Sequence, residues 1–500
     1  MRIKNIENKY IENPKIVFDK IENNFNDFFE IKADDDIKVS YTSDRSKRYA
    51  KEILEVNKKL NKYPKMHIID YADIEIRGVI EGFYGIPWNH MERKSLLYFM
   101  DKVRLNEYIY APKDDPYHNI KWREKYDSKN LEKLKELSDI SNNLDIKFTW
   151  AIHPGMNEFD FSKYEEDFRN LKEKYSQMIE IGIKSFALFI DDVNIEKFSK
   201  NSKNYIRLLD DTKDFLKESV NSNLLIVLPW YNSSWISDVA RKFYGEIRKL
   251  DNIEVLWTGE EVISPLENKS INLIENLTNK KANIWFNWPV NDYRRNEVYL
   301  EAFEFFEDSD IDIRAFYSNP MNQMELSKIS LYQIAKFLWD KKNYDLDKYY
   351  KEAFEFVDNK GYYLLDLADY FYGSDMYYHT KDKKYEIKDI EFDYNNLKDL
   401  KDTINKKISA IDSYNEFYEN EKLKKELEPF LKALKYLLIA IRFEIDSDFE
   451  SSIVYFEKSQ QIEIEILKEY TNDELIKRKL HLPDRLIEIY DLLKKENRKC

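Results

Sequence analysis

The sequence predicts an α/β chain: a central (β/α)8 barrel with a small N-terminal α/β domain and a C-terminal helical bundle. Three observations carry this reading. Eight short apolar or β-rich runs recur between Arg77 and Tyr317, most of them followed by an amphipathic stretch. Ahead of them, short segments alternate at strand period. After about residue 340 the apolar spacing turns helical. The expected divisions are residues 1–74, 75–340 and 341–500.

In the first division, Ile37-Lys38-Val39-Ser40-Tyr41-Thr42 alternates as a strand does. Ser43-Asp44 is placed to cap a helix from about Arg45 to Lys62, with Ala50, Ile53, Leu54 and Leu60 on one face. Met66-His67-Ile68-Ile69 reads as a further strand. No chemistry is evident here.

The eight runs are 77–80, 107–110, 148–152, 186–190, 224–228, 253–257, 283–286 and 313–317. Runs without alternation are those of strands buried on both faces, as in parallel sheets. Helical stretches follow at 92–104, 129–142, 164–181, 205–219 and 325–340. Eight units over about 250 residues are what a (β/α)8 barrel needs, and the lack of a break favours closure over an open doubly wound sheet. Further on, 431–445, 453–470 and 474–495 read as long amphipathic helices, strand runs disappear, and Pro429 should start or kink a helix. This bundle is expected to pack on the barrel or to join two copies as a homodimer.

Composition excludes several function classes. Net charge is −14 and basic residues are interspersed with acids, which does not suit a phosphate backbone as partner. No apolar run reaches bilayer-spanning length. The one cysteine, Cys500, permits no intrachain disulfide, and the charged N-terminus has no apolar signal-like core; both point to a cytoplasmic setting. The six histidines show no paired-ligand spacing, and no GxGxxG, GxxxxGK[ST] or GxSxG is present, so neither metal nor nucleotide cofactor is expected.

Chemistry gathers just after the predicted strands. Gly82-Phe83-Tyr84-Gly85 follows the first and Ala111-Pro112-Lys113-Asp114-Asp115 the second. His153-Pro154-Gly155 follows the third, Asp191-Asp192 the fourth, and Pro229-Trp230-Tyr231-Asn232 the fifth. Thr258-Gly259-Glu260 follows the sixth, the run from Asn287 through Asp292 to Tyr293 the seventh, and Ser318-Asn319-Pro320 the eighth. In this fold those loops build the active site. Carboxylates, amides, a lysine and aromatics together suit a sugar, because flat rings pack on C–H faces while polar groups bond hydroxyls. Each residue alone has a plainer reading. An Asp-Asp pair is more often a helix cap or solvated loop, Lys113 a surface lysine, Gly82 a turn, Trp285 core, and Asn287 or Asn319 a turn former. Co-location after eight different strands is what raises the odds.

The segment Arg77-Gly78-Val79-Ile80-Glu81-Gly82-Phe83-Tyr84-Gly85-Ile86-Pro87-Trp88 resembles glycoside hydrolase family 84. So do 110–115, 186–192, 254–259, 285–293 and 318–320. The family comprises the O-GlcNAcases and related bacterial β-N-acetylglucosaminidases, some labelled hyaluronidases. The resemblance implies a retaining mechanism in which the substrate's own acetamido oxygen attacks the anomeric carbon, an exception to the usual two-carboxylate scheme. It implies that Asp191 polarises the acetamido N–H and that Asp192 is general acid, then base. A negative neighbour favours the protonated form an acid needs. Gly82 and Lys113 would contact hydroxyls and Trp285 would wall the acetamido pocket. Asn287 would bond near the acetamido or glycosidic region, Asp292 would hold the 4- and 6-hydroxyls, and Asn319 a further hydroxyl. The family's Pro-x-x-Tyr is here one residue shorter, which assigns Tyr231. The implied substrate is a glycan or glycoprotein bearing N-acetylglucosamine. An endo-acting enzyme on an amino-sugar polymer is the second reading, favoured by an open cleft; a non-catalytic lectin-like barrel is the third.

Overall fold

The computed structural model describes residues 2–58, 62–113, 115–155, 158–306, 311–376, 396–468 and 474–498. Leu60, Asp114 and Cys500 lie outside them.

The chain opens with a five-stranded sheet in the order β1-β5-β3-β4-β2. Its strands are β1 (Arg2–Ile11), β2 (Ile16–Lys20), β3 (Asn26–Ala33), β4 (Ile37–Tyr41) and β5 (Tyr63–Ala72). The expected strands at 37–42 and 66–69 fall within β4 and β5; β1, β2 and β3 are additional. β2 leaves Asp19 and Lys20 partly or fully exposed and buries little, so its sequence carries weak alternation. Helix Asp44–Lys58 covers one face with Tyr49, Ala50 and Leu54.

Eight parallel strands then close a barrel. They are β6 (Ile76–Glu81), β7 (Glu107–Tyr110), β8 (Lys147–Ile152), β9 (Ser185–Phe189), β10 (Leu224–Val227), β11 (Ile253–Trp257), β12 (Asn283–Phe286) and β13 (Ala315–Ser318). Each pairs with the next in sequence, and β13 closes on β6 through Ala315 beside Ile76. All eight expected runs are these strands, the last starting two residues later and ending one residue later than expected. The runs are unalternated because one face meets the outer helices while the other fills the barrel. Ile80, Ile109, Ala151, Ala187, Phe189 and Leu256 belong to that inner core. Helices at His90–Val103, Ser128–Asn143, Tyr164–Glu180, Ser202–Val220 and Met324–Trp339 stand where helical stretches are expected. Among the described residues between β12 and β13 there is only a 3-10 turn, Asp292–Arg294, in place of a crossover helix.

The C-terminal part departs from an all-helical bundle. Helices Leu397–Phe417, Glu421–Ile445, Phe449–Gln460 and Asp484–Asn497 follow in order, and a hairpin of β14 (Glu463–Leu467) and β15 (Leu475–Lys479) stands between the last two. The expected helices 453–470 and 474–495 are each cut short by a strand. Glu463-Ile464-Glu465-Ile466 alternates at strand period, and Pro483 suits the start of a new helix. Pro429 neither starts nor ends its helix; it lies inside Glu421–Ile445, a helix sustained by buried Leu423, Leu427, Leu431 and Leu434. These helices share one continuous apolar cluster with the barrel's outer layer. Among the described residues no helix is long and apolar enough to cross a membrane.

Charge pins the N-terminal sheet to the barrel. Arg77, fully buried at the start of β6, donates Nη2 to Asp27 Oδ2 at 2.6 Å and Nη1 to the carbonyls of Ile74 and Glu75. Arg104 donates to Asp70 Oδ2 at 2.9 Å, whose other oxygen accepts from Trp339 Nε1. Removing one partner of a buried pair leaves an uncompensated charge. Arg77→Met should therefore lower the apparent unfolding free energy in denaturant by about 3 kcal/mol. A change below about 1 kcal/mol, the scale of an exposed pair, would mean that the pairing does not hold the junction.

Candidate active site

A cavity of about 230 Å³ opens at the C-terminal end of the barrel. All nine residues singled out from the sequence line it: Gly82, Lys113, Asp191, Asp192, Tyr231, Trp285, Asn287, Asp292 and Asn319. They come from the ends of six different strands, brought together by closure of the barrel.

The two adjacent carboxylates occupy unlike surroundings. Asp191 is 4% exposed, and its Oδ2 accepts a short hydrogen bond from Lys113 Nζ, itself 2% exposed. Burial alone pushes the Asp191 carboxyl up, but the Lys113 ammonium and the His153 imidazole outweigh it and hold it well below the usual carboxylate range. Its Oδ1 has no hydrogen-bond partner among the described residues. Asp192 is exposed and takes a left-handed φ of 54°, which Asp tolerates better than most residues. Two tyrosine hydroxyls reach it: Tyr84 donates to Oδ2 at 2.8 Å and Tyr231 to Oδ1 at 3.3 Å. The nearby helix Ile195–Lys200 is capped by Asn194, which accepts from Lys197 N, so neither aspartate serves as its cap.

The remaining predicted residues form a connected wall. Trp285 Nε1 donates to Asn287 Oδ1 at 2.8 Å, and Asn319 Nδ2 donates to the same oxygen at 2.9 Å. Asn319 Oδ1 accepts from Gly82 N at 3.3 Å, so that N–H is engaged within the wall. Asn287 Nδ2 donates to Val262 O. Trp285 does two jobs, packing its ring 5.5 Å from Phe189 in the barrel core while facing the cavity. Asp292 is half-buried; burial pushes its carboxyl up, opposed by the N–H of Tyr84, which donates to Oδ2 at 2.8 Å. Gly82 is present for closeness, since a Cβ there would lie 2.4 Å from Trp285 Cζ2.

Three further contributors lie in the strand-end runs read from the sequence but were given no role there. Tyr84 sits inside the first motif between Gly82 and Gly85, a position that could have flagged it. His153 follows β8 on the active face and lies against Asp191; its place directly after a barrel strand was the available signal. Tyr293 lines the cavity beside Asp292. A larger cavity of about 620 Å³ lies over the loops after β7 to β9, lined by Arg123, Glu158 and Asp167 among others, and lacks the carboxylate pair.

Residues 77–368 match the family described as beta-N-acetylglucosaminidase. The chain belongs to this family, glycoside hydrolase family 84. Protein O-GlcNAcase of Mus musculus is 32% identical over 281 residues, covering 53% of this chain and 30% of the relative. The Rattus norvegicus protein of the same name gives the same figures. The chain thus matches less than a third of the length of these curated relatives. The fold is shared with CpGH84D, at a TM-score of 0.79 and 24% identity over 94% of this chain and 84% of that one. CpGH84B follows at 0.76 and 24%, over 95% and 87%. An O-GlcNAc hydrolase mutant of Thermobaculum terrenum gives 0.69 and 21%, over 85% and 95%.

The family wall makes one steric demand that a mutation reads directly. Gly82→Ala forces a methyl onto the Trp285 ring, and overpacking of this kind costs ~1–3 kcal/mol. A fall of that size in the unfolding free energy, accompanied by a shift in tryptophan emission, is expected; an unchanged variant would show that the wall yields freely.

Proposed function

We propose that the chain is a retaining exo-β-N-acetylglucosaminidase of the O-GlcNAcase type, releasing terminal β-linked N-acetylglucosamine by substrate-assisted catalysis. The observation that carries this reading is the unlike setting of two adjacent carboxylates in one cavity. Asp191 is buried, ion-paired and held anionic at the cavity. It accepts the substrate's amide N–H and thereby makes the acetamido oxygen more nucleophilic. That oxygen attacks the anomeric carbon as the glycosidic bond breaks, and Asp192 gives its proton to the departing oxygen. An oxazoline is formed with one inversion as the amide proton passes to Asp191. Asp192 then takes a proton from water, which attacks the same carbon, while Asp191 returns its proton to the nitrogen, so that the oxazoline reopens to the amide and the configuration is restored. Tyr84 and Tyr231 hold Asp192 in place through both steps.

The other wall residues are assigned by position. Trp285 flanks the acetamido methyl, Asn287 and Asn319 stand at its edge, and Asp292 meets the hydroxyls at the far end of the ring. Lys113 acts chiefly through Asp191, to which it is bonded, rather than as a free hydroxyl donor. The cavity lies below the ~300–1,000 Å³ typical of drug-sized ligand sites. It suits a single sugar better than a run of polymer, which supports exo over endo action. The single cysteine in the sequence supports a cytoplasmic setting.

Leaving-group dependence separates the two carboxylates. Asp192→Asn should lose ~10²–10⁴-fold in turnover on alkyl N-acetylglucosaminides, which need a proton, and far less on activated aryl ones. Asp191→Ala should be crippled on both. Unchanged turnover of the alkyl substrate in the first variant, or a loss confined to that substrate in the second, would overturn the assignment. Lys113→Met tests the electrostatics. The working form of Asp191 is its anion, and Lys113 lowers its pKa. Without the lysine that pKa rises, so the acidic limb of the kcat/KM–pH profile should move to higher pH. A limb that stays in place would show that Lys113 does not set the charge of Asp191.

A further inference from the structure

The two carboxylates are joined by a single peptide, and His153 grips it. His153 Nε2 lies 2.8 Å from the main-chain oxygen of Asp191, the carbonyl of the 191–192 peptide. The same nitrogen is 3.2 Å from Asp191 Oδ1, yet that oxygen has no aligned hydrogen bond. A carbonyl oxygen only accepts, so Nε2 must carry a proton. The ring is 1% exposed, and its Nδ1 has no partner among the described residues. The Nε2-protonated tautomer leaves a lone pair at that buried position instead of an orphaned N–H.

His153 is itself held on several sides. Its main-chain N–H donates to the carbonyl of His118 at 2.8 Å, and His118 Nδ1 lies 2.9 Å from the carbonyl of Ala151. Burial pushes His118 down to about 3, so this second ring adds no charge behind Asp191. A Cβ at Gly155 would lie 2.4 Å from Val193 Cγ1 and 3.0 Å from His153 Cε1. Glycine therefore lets the loop after β8 close against the residue that follows Asp192.

We propose that His153 is a positioning residue: its Nε2–H fixes the 191–192 peptide, so that the Asp191 carboxylate is aimed at the substrate amide while the left-handed Asp192 faces the departing oxygen. The inference rests on the proposed function for the roles of the carboxylates but not for the hydrogen bond. One side chain thus sets the relative orientation of polariser and acid, and its loss should disturb both at once. That pattern differs from the loss confined to alkyl substrates expected for Asp192→Asn.

Two measurements decide. Long-range proton–nitrogen NMR on the wild-type chain, labelled with ¹⁵N-histidine, reads the tautomer, with the His153 signal assigned by its absence in His153→Gln. An Nε2-protonated ring is expected; an Nδ1-protonated ring, unable to donate to the carbonyl, overturns the proposal. In kinetics, His153→Leu removes the donor at similar bulk. It should lower kcat ~10²-fold on aryl and alkyl N-acetylglucosaminides alike, the scale of a misplaced reacting group, with KM little changed. His153→Gln keeps an N–H near the Nε2 position and should recover most of that loss. Equal loss in both variants, a loss in KM alone or no loss would overturn the proposal. If His153→Leu fails to fold, His153→Met takes its place and the tautomer still decides. A wild-type chain inert on aryl N-acetylglucosaminides would instead overturn the proposed function, while the tautomer would still report on the hydrogen bond.

Discussion

The buried ion pair between Lys113 and Asp191 is the constraint on which the site depends. Two charges at 2% and 4% exposure carry a desolvation cost of several kcal/mol each, and their attraction offsets it only with good geometry and further bonds. That geometry is imposed from outside the pair. Lys113 leaves the end of β7 and Asp191 the end of β9, with β8 and His153 between them. Neighbouring strands of a closed barrel cannot slide past one another without breaking the ladder on both sides. The fold thus supplies the rigidity that a buried pair needs, and the pair keeps one carboxylate charged in a place where burial alone would neutralise it.

The same logic extends to the far end of the cavity, where among the described residues no helix stands between β12 and β13. The loop carrying Asp292 is instead held by the C-terminal part of the chain. Arg295 is 8% exposed; its Nε donates to the Asp292 carbonyl at 3.0 Å and its Nη1 to the carbonyl of Leu467 on β14 at 2.9 Å. Asn296 Nδ2 donates to the carbonyl of Lys479 on β15. Arg294 bonds Gly373 O and Asp375 Oδ1, and Glu301 accepts from the backbone of Gly373 and Ser374. The hairpin that interrupts the helices is therefore a buttress for a site loop. Among the described residues, the C-terminal segment meets the site by fixing backbone, without placing a side chain among those that line the cavity.

Legibility in the sequence followed burial. Barrel strands sit between two apolar layers, so their runs are continuous and their ends are visible; all eight could be placed, and the polar residues just past them could be read as one rim. β2 buries little, β14 is short and buries only its last two residues, and β15 is short and largely exposed, so their patterns are faint. A helix and a half-exposed hairpin then compete on equal terms, and the longer element is the natural but mistaken choice. At the site, residue types that chemistry requires were legible, but partnerships were not. Nothing in a linear string reveals that Gly82 N–H is occupied by Asn319, that Lys113 is engaged by Asp191, or that Tyr84 spans Asp192 through its hydroxyl and Asp292 through its N–H. Those are products of closure, which joins β13 to β6.

Adjacency in sequence alone would make Asp191 and Asp192 alike, and the backbone is what makes them different. The register of β9 ends at Phe189, and Ile190 N still donates to Val227 O at 3.0 Å. Asp191 therefore keeps the course of the strand and points into the buried, cation-lined side of the cavity. One residue later the chain turns left-handed, at φ 54°, and Asp192 emerges into an exposed position between two tyrosine hydroxyls. A right-handed or extended residue there would send its carboxylate elsewhere. Two identical side chains thus acquire unlike settings through a single backbone dihedral: one is held as a buried charge, the other stands exposed between two hydroxyls, the contrast on which the proposed division of labour rests.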